Sequence, residues 1–191
     1  MPNQELALEI VGSKNAKAIK ELAENLSNKN RNIAHDCIKV LYEIGEKNPK
    51  MIMGYTKEFG AMLGSKNNRL VWGSMTALDT IAQVNPMGVH DLMKEILTAA
   101  EGESVIARDH AVGILVKLAS VREYKNEALT ALLGQLRGSP VNQLPMYAEM
   151  SEAAFQKSNR EDFSKVLRER LKELKRESQK KRMDKVLKRF S

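Results

Sequence analysis

Few residues of this sequence are equipped for covalent or acid–base chemistry. It holds three histidines, His35, His90 and His110, and a single cysteine, Cys37. Imidazole and thiolate are the usual general base and nucleophile near neutral pH, so these four are the first candidates for a catalytic or metal centre. Their spacing does not build one. His35 and Cys37 are two residues apart in a segment of helical periodicity, which points them to different faces and prevents joint chelation. His90-Asp91 and Asp109-His110 are chain neighbours, which does not orient one side chain on the other. One cysteine permits neither an internal disulfide nor a thiolate zinc site of the usual spacing. The sequence contains no His-Glu-x-x-His, no phosphate-cradling glycine loop and no nucleophile elbow. The expectation is therefore no metal, no cofactor and no catalytic residue, with the histidines in solvated or capping roles. A site assembled from carboxylates on distant segments would leave no local motif.

The elements that position these residues announce themselves as a repeat. The segment KVLYEIGEKNP ends at Pro49, TALDTIAQVNP ends at Pro86, and GILVKLASVRE ends at Glu123, a step of 37 residues each time. The apolar ladder keeps that step: Leu41, Leu78 and Leu115; Ile44, Ile81 and Leu118; Ile38, Met75 and Val112; Cys37, Ser74 and Ala111; and a small residue at Gly45, Ala82 and Ala119. Leu22, Phe59, Ile96 and Leu133 form a fourfold series in the preceding helix, and the turns SNKN, GSKN, EGES and GSPV recur in register. Within a copy the spacing is helical, as in Ile33, Cys37, Leu41 and Ile44. Asn-Pro at 48–49 and 85–86 stops one helix and opens the next, and Gly64, Gly102 and Gly138 suit helix ends. Gly60, Gly73 and Gly113 fall inside helices, where close approach of a neighbouring helix is their expected role.

The reading is a short leading helix at about 3–11, then helix pairs at about 15–48, 50–85, 87–122 and 124–157. Pro140 and Pro145 shorten the second helix of the fourth pair. Residues 160–191 form either a fifth, truncated pair or one long helix, and the polar end a repeat array needs favours the pair. Two regions follow: a repeat domain over 1–158 with its leading helix, and a basic helical segment over 159–191 that acts as terminal cap or partial fifth repeat. Residues 157–191 carry 14 Lys/Arg against 6 Asp/Glu, a balance of +8, whereas the rest of the chain is close to neutral. The N-terminal MPNQELALEIVGSKN has neither a basic leader nor a long apolar run, so no signal peptide or transmembrane helix is expected and the chain reads as soluble and cytoplasmic.

The period, the two helices per unit and the second helix ARDHAVGILVKLA resemble the HEAT and armadillo-type repeat families over about residues 13–157. The resemblance implies an all-α, right-handed solenoid of four to five antiparallel helix pairs. An Asp and a following Arg usually mark the HEAT turn. Arg108 and Asp109 stand in the third copy, but the first two copies depart from that pattern. The superfamily includes scaffolds, transport adaptors and a bacterial group of DNA alkylation-repair glycosylases. The last relies on several Trp/Tyr and an Asp, whereas this chain has one Trp, so no catalytic residue carries over.

Helical-repeat proteins bind partners along an extended inner surface, lined in most by the second helix of each pair. The repeat assigns His35, Arg69, Trp72, Arg108 and Asp109 to that surface. Trp72 stands where the flanking copies place His35 and Asp109. It is either an exposed anchor for a partner or a ring lying flat over Gly73 and Met75. A mixed or apolar groove would speak for a protein or peptide partner, and a basic groove for nucleic acid. The expected function is thus a non-catalytic scaffold or adaptor. The second candidate surface is the C-terminal set Lys180, Lys181, Arg182, Lys185, Lys188 and Arg189. It would bind nucleic-acid phosphates without sequence preference, unless that helix simply packs on the fourth repeat. An anionic membrane surface is a third option.

Overall fold

The computed structural model describes residues 2–102, 104–155 and 159–190. They form twelve α-helices joined by short turns, with no strand among the described residues. The helices are α1 (Pro2–Ser13), α2 (Ala16–Glu24), α3 (Arg31–Lys47), α4 (Thr56–Met62), α5 (Asn68–Ile81), α6 (Pro86–His90), α7 (Met93–Glu101), α8 (Val105–Leu118), α9 (Lys125–Gly138), α10 (Leu144–Ser151), α11 (Arg160–Leu171) and α12 (Glu177–Arg189). The second helices α3, α5 and α8 begin at residues 31, 68 and 105, so the 37-residue step of the sequence is kept by the backbone. The chain divides into two compact units, residues 1–111 and 112–191. The boundary read from charge at 158/159 adjoins residues 156–158, which lie outside the described residues.

In the first unit α3 packs against α1 on one side and α5 on the other, while α2 lies on α3 and α4 on α5. The ladder residues Leu41, Ile44, Met75, Leu78 and Ile81 are all fully buried, each worth about 1.5–3 kcal/mol of transfer free energy. Two glycines do what their position in mid-helix suggested. A Cβ on Gly73 would lie 2.5 Å from Ile38 Cγ1, and one on Gly60 would lie 2.6 Å from Leu92 Cδ2. Ile33 departs from expectation. Its equivalents Leu70 and Ala107 are buried, but Ile33 is 43% exposed. It lies in the first turn of α3, where residues 31–33 are all exposed.

The first helix of a pair is not continuous in copies two and three. In copy two, residues 49–51 and 53–55 form tight three-residue turns before α4, and in copy three the five-residue α6 precedes α7. Pro49 and Pro86 open these segments, and Gly54 and Gly88 within them each disfavour helix by about 1 kcal/mol. The recurring turn between helices proves to be a capping device. Asn30 accepts from the Asn32 amide, Asn67 from Arg69 and Ser104 from Ala107. Each cap satisfies one of the four amides that a helix start leaves unpaired.

In the second unit α9 pairs with α11 and α10 with α12. Pro145 sits in the first turn of the eight-residue α10, so the fourth pair is shortened as the prolines indicated. Residues 160–190 are a helix pair and not one long helix. Phe163, Leu167 and Leu174 are buried, and Phe155, Phe163 and Phe190 form an aromatic cluster. Phe155 and Phe163 stack at 4.4 Å between centroids, and Phe190 meets Phe163 edge-on at 4.9 Å. Arg170 closes the end of α9. Its guanidinium donates to the carbonyls of Leu136 at 2.8 Å, Arg137 at 2.6 Å and Ser139 at 3.0 Å.

Candidate functional site

The first unit carries a groove of about 430 Å³ between α3 and α5. Its walls are His35, Lys39 and Tyr42 from α3 and Arg69, Trp72 and Thr76 from α5, with Asp36 beside them, Asn3 at one end and Ile106 at the other. The helical register explains the set: residues 35, 39 and 42, and 69, 72 and 76, step by three or four along one face. Trp72 is half-buried in the wall, neither fully exposed nor sealed. Burial, and then the charges of Glu43 and Glu46, push the Tyr42 phenol above its ordinary value, so it stays a neutral donor. Lys39, Arg69 and Asp36 share the lining, which makes it mixed in charge rather than strongly basic.

The five groove residues expected from sequence separate here. His35, Arg69 and Trp72 line the groove together. Arg108 instead donates from Nε to the Ala100 carbonyl at 3.1 Å, which ties the end of α7 to α8. Asp109 is half-buried and does not line the groove. His35 is held in place, its Nε2 lying 2.9 Å from Asn67 Oδ1, the residue that caps α5. Cys37 is buried, and burial first and Asp36 second push its thiol above the ordinary range. It is not an activated nucleophile.

One arrangement was not read from the sequence. His110 Nδ1 lies 2.9 Å from Asp79 Oδ2, and its Nε2 lies 2.9 Å from Thr76 Oγ1. The Thr76 hydroxyl in turn reaches the Trp72 carbonyl at 2.9 Å. A hydroxyl, an imidazole and a carboxylate in this order are the parts of a nucleophile, its base and the base's orienting group. Acyl transfer also needs donors aimed at the developing oxyanion. Thr76 sits in the interior of α5, where the backbone amides are committed to the helix. The chain of bonds therefore fixes the groove wall under Trp72 and ties α5 to the start of α8. The pairs Asp79–His110 and Thr76–His110 are 31 and 34 residues apart, near one repeat, and that spacing is the signal that would have found them. Among the described residues no group of three His, Cys, Asp or Glu is placed to hold a metal ion, and no helix is long and apolar enough to cross a membrane.

The C-terminal basic set lies on α12. Arg182 is bidentate to Glu149, at 2.8 and 2.5 Å. The Arg182 hydrogen bond holds the Glu149 carboxyl below its ordinary value and raises the guanidinium in return. Arg189 pairs with Glu152, and Lys180 with Glu177 at 2.8 Å. Lys181, Lys185 and Lys188 are exposed.

Solved structures share this architecture. A designed armadillo repeat protein in complex with the peptide (KR)4 matches with a TM-score of 0.73 at 13% identity, covering 98% of this chain and 87% of that one. The chain has an armadillo-type helical repeat fold. A second designed armadillo repeat protein gives a TM-score of 0.70 at 12% identity, again over 98% of this chain and 87% of the other. An engineered protein gives 0.67 at 16% identity over 98% and 89%. No protein-family model and no curated protein matches the sequence. At these identities the armadillo-type likeness is one of fold alone.

Proposed function

We infer that this armadillo-type repeat is a non-catalytic adaptor that binds an extended peptide segment of a protein partner along the α3–α5 groove. The observation that carries this reading is the groove lining, in which Trp72 and Tyr42 offer amphipathic rings between hydrogen-bonding and charged side chains. Rings of this kind are the common anchors of protein recognition. The designed neighbour is paired with a (KR)4 peptide. Here Lys39 and Arg69 outnumber Asp36 in the lining, so the ligand suited to this groove carries acidic and apolar side chains rather than a run of cations.

The test is a selection from a displayed peptide library on the full chain, followed by affinity measurements on Trp72→Ala and Arg69→Ala. Loss of a central aromatic anchor costs about 2 kcal/mol or more, roughly a 30-fold weaker Kd. Selected peptides that bind both variants as tightly as the parent protein, or that are all Lys/Arg-rich, would refute the groove assignment.

A further inference from the structure

The second unit has a concavity of about 560 Å³ along the outer face of α11, lined by Arg160, Ser164, Lys165, Arg168, Lys172 and the ring of Phe190. Glu161 and Glu169 also border it. The four cations differ from the two arginines of α12. Arg182 and Arg189 are neutralised by Glu149 and Glu152, whereas the side chains of Arg160, Lys165, Arg168 and Lys172 make no hydrogen bond or ion pair among the described residues. A second observation is Phe190, half-buried and braced edge-on against Phe163, which leaves a fixed aromatic surface beside Arg160 in the same lining.

We propose that the α11 face binds the phosphate backbone of single-stranded nucleic acid, with Phe190 as a stacking platform for one base. The length of the cation row argues for a polymer over a lone anion. From Arg160 to Lys172 the helix rises about 18 Å, several times the roughly 3.4 Å of axial rise per phosphate of one stacked strand. Arginine forks suit phosphate oxygens, and an aromatic ring beside a cationic track is how sequence-tolerant single-strand binders hold a base. This site lies in the second unit and is independent of the peptide groove.

Fluorescence anisotropy of a labelled oligothymidine strand on the full chain tests it. Four neutralised phosphates predict a log–log salt slope of about −2.8, or about a 50-fold loss of affinity between 50 and 200 mM salt. Arg168→Gln and Lys172→Gln should each flatten the slope by about 0.7. Phe190→Leu should weaken binding with the slope unchanged. Circular dichroism reports whether each variant keeps its helices, and the two glutamine variants change only exposed side chains. No binding at 50 mM salt would overturn the proposal, as would folded glutamine variants with the parent's affinity and slope. So would loss of binding through Lys181→Gln and Lys185→Gln on α12 instead. Competition by polyglutamate or by phosphatidylserine vesicles as effective as unlabelled strand would assign the face to an acidic protein or a membrane and sink it equally.

Discussion

Gly73 offers the most direct test of how the groove is built. It lies on the groove floor next to Trp72. An added Cβ would sit 2.5 Å from Ile38 Cγ1, 3.1 Å from Cγ2 and 3.4 Å from Cβ. Carbon atoms prefer about 3.5–4.0 Å, so α3 and α5 would have to separate by about 1 Å. Ile38 is 2% exposed. Two effects of Gly73→Ala then compete. Helix propensity favours Ala by about 1 kcal/mol, and overpacking a closed core costs about 1–3 kcal/mol. The contacts involve the branch point of Ile38 and not a flexible tip, which places the clash in the upper half of that range. The net expectation is a destabilisation of about 1–2 kcal/mol.

Ile38→Ala alone opens a cavity and costs about 2–5 kcal/mol, but it also removes the two atoms that clash. In that background Gly73→Ala should stabilise, by about the 1 kcal/mol of propensity. The sign reverses, and the coupling energy is about 2–3 kcal/mol. Urea unfolding measures this cycle, and the single tryptophan reports it locally, because Trp72 is the chain's one indole and stands on the strained helix. Midpoints are compared at constant m-value. If Gly73→Ala raised the midpoint in the parent protein by the full propensity gain, the close approach of α3 and α5 would be wrong.

Two further expectations concern single side chains. Arg170→Met should destabilise the protein by about 2–4 kcal/mol, since it strips three carbonyls of their donor; Arg170→Lys should recover only part, because an ammonium lacks the planar fork. A thermal midpoint within error of the parent's for the Met variant would show that Arg170 does not close α9. Cys37 should react with iodoacetamide at least about tenfold more slowly than an exposed thiol. Its thiolate is disfavoured, so the rate should still be climbing above pH 9, past the ordinary thiol value of about 8.5; a plateau at or below that value would contradict the raised thiol.

What the sequence encoded plainly was the face of each helix. Leu41, Leu78 and Leu115 share a position, and each is wholly buried, because a side chain that stacks against an equivalent one must stay apolar at every copy. The turns were visible for a similar reason: an amide at a helix start needs an acceptor in every copy, and Asn30, Asn67 and Ser104 supply it. The breaks before α4 and α7 were not visible, since a proline at a first turn is compatible with an unbroken helix, and Gly54 and Gly88 disfavour helix only weakly. Ile33 fits the apolar spacing but lies in the exposed first turn of α3, and spacing assigns a face without saying whether a neighbour covers it.

Functional side chains escape the same logic. A residue outside the core need not match its counterpart in the next copy, and His35, Trp72 and Asp109 share a position and nothing else. The partners that fix such residues follow a rule the periodicity does contain. Stacked helices bring residue i beside residues near i+31 to i+37: His35 to Asn67, Asp79 to His110, Glu149 to Arg182, Glu152 to Arg189. With a step of 37, opposite charges at these separations can be paired from the sequence. That pairing would have withdrawn Arg182 and Arg189 from the basic surface. It leaves Lys165, Arg168 and Lys172 unmatched, because no Asp or Glu stands 31 to 37 residues before any of them. The charge of the C-terminal segment therefore divides: Arg182 and Arg189 are paired with Glu149 and Glu152, Arg170 closes α9, and Lys165, Arg168 and Lys172 stay exposed, as do Lys181, Lys185 and Lys188 of α12.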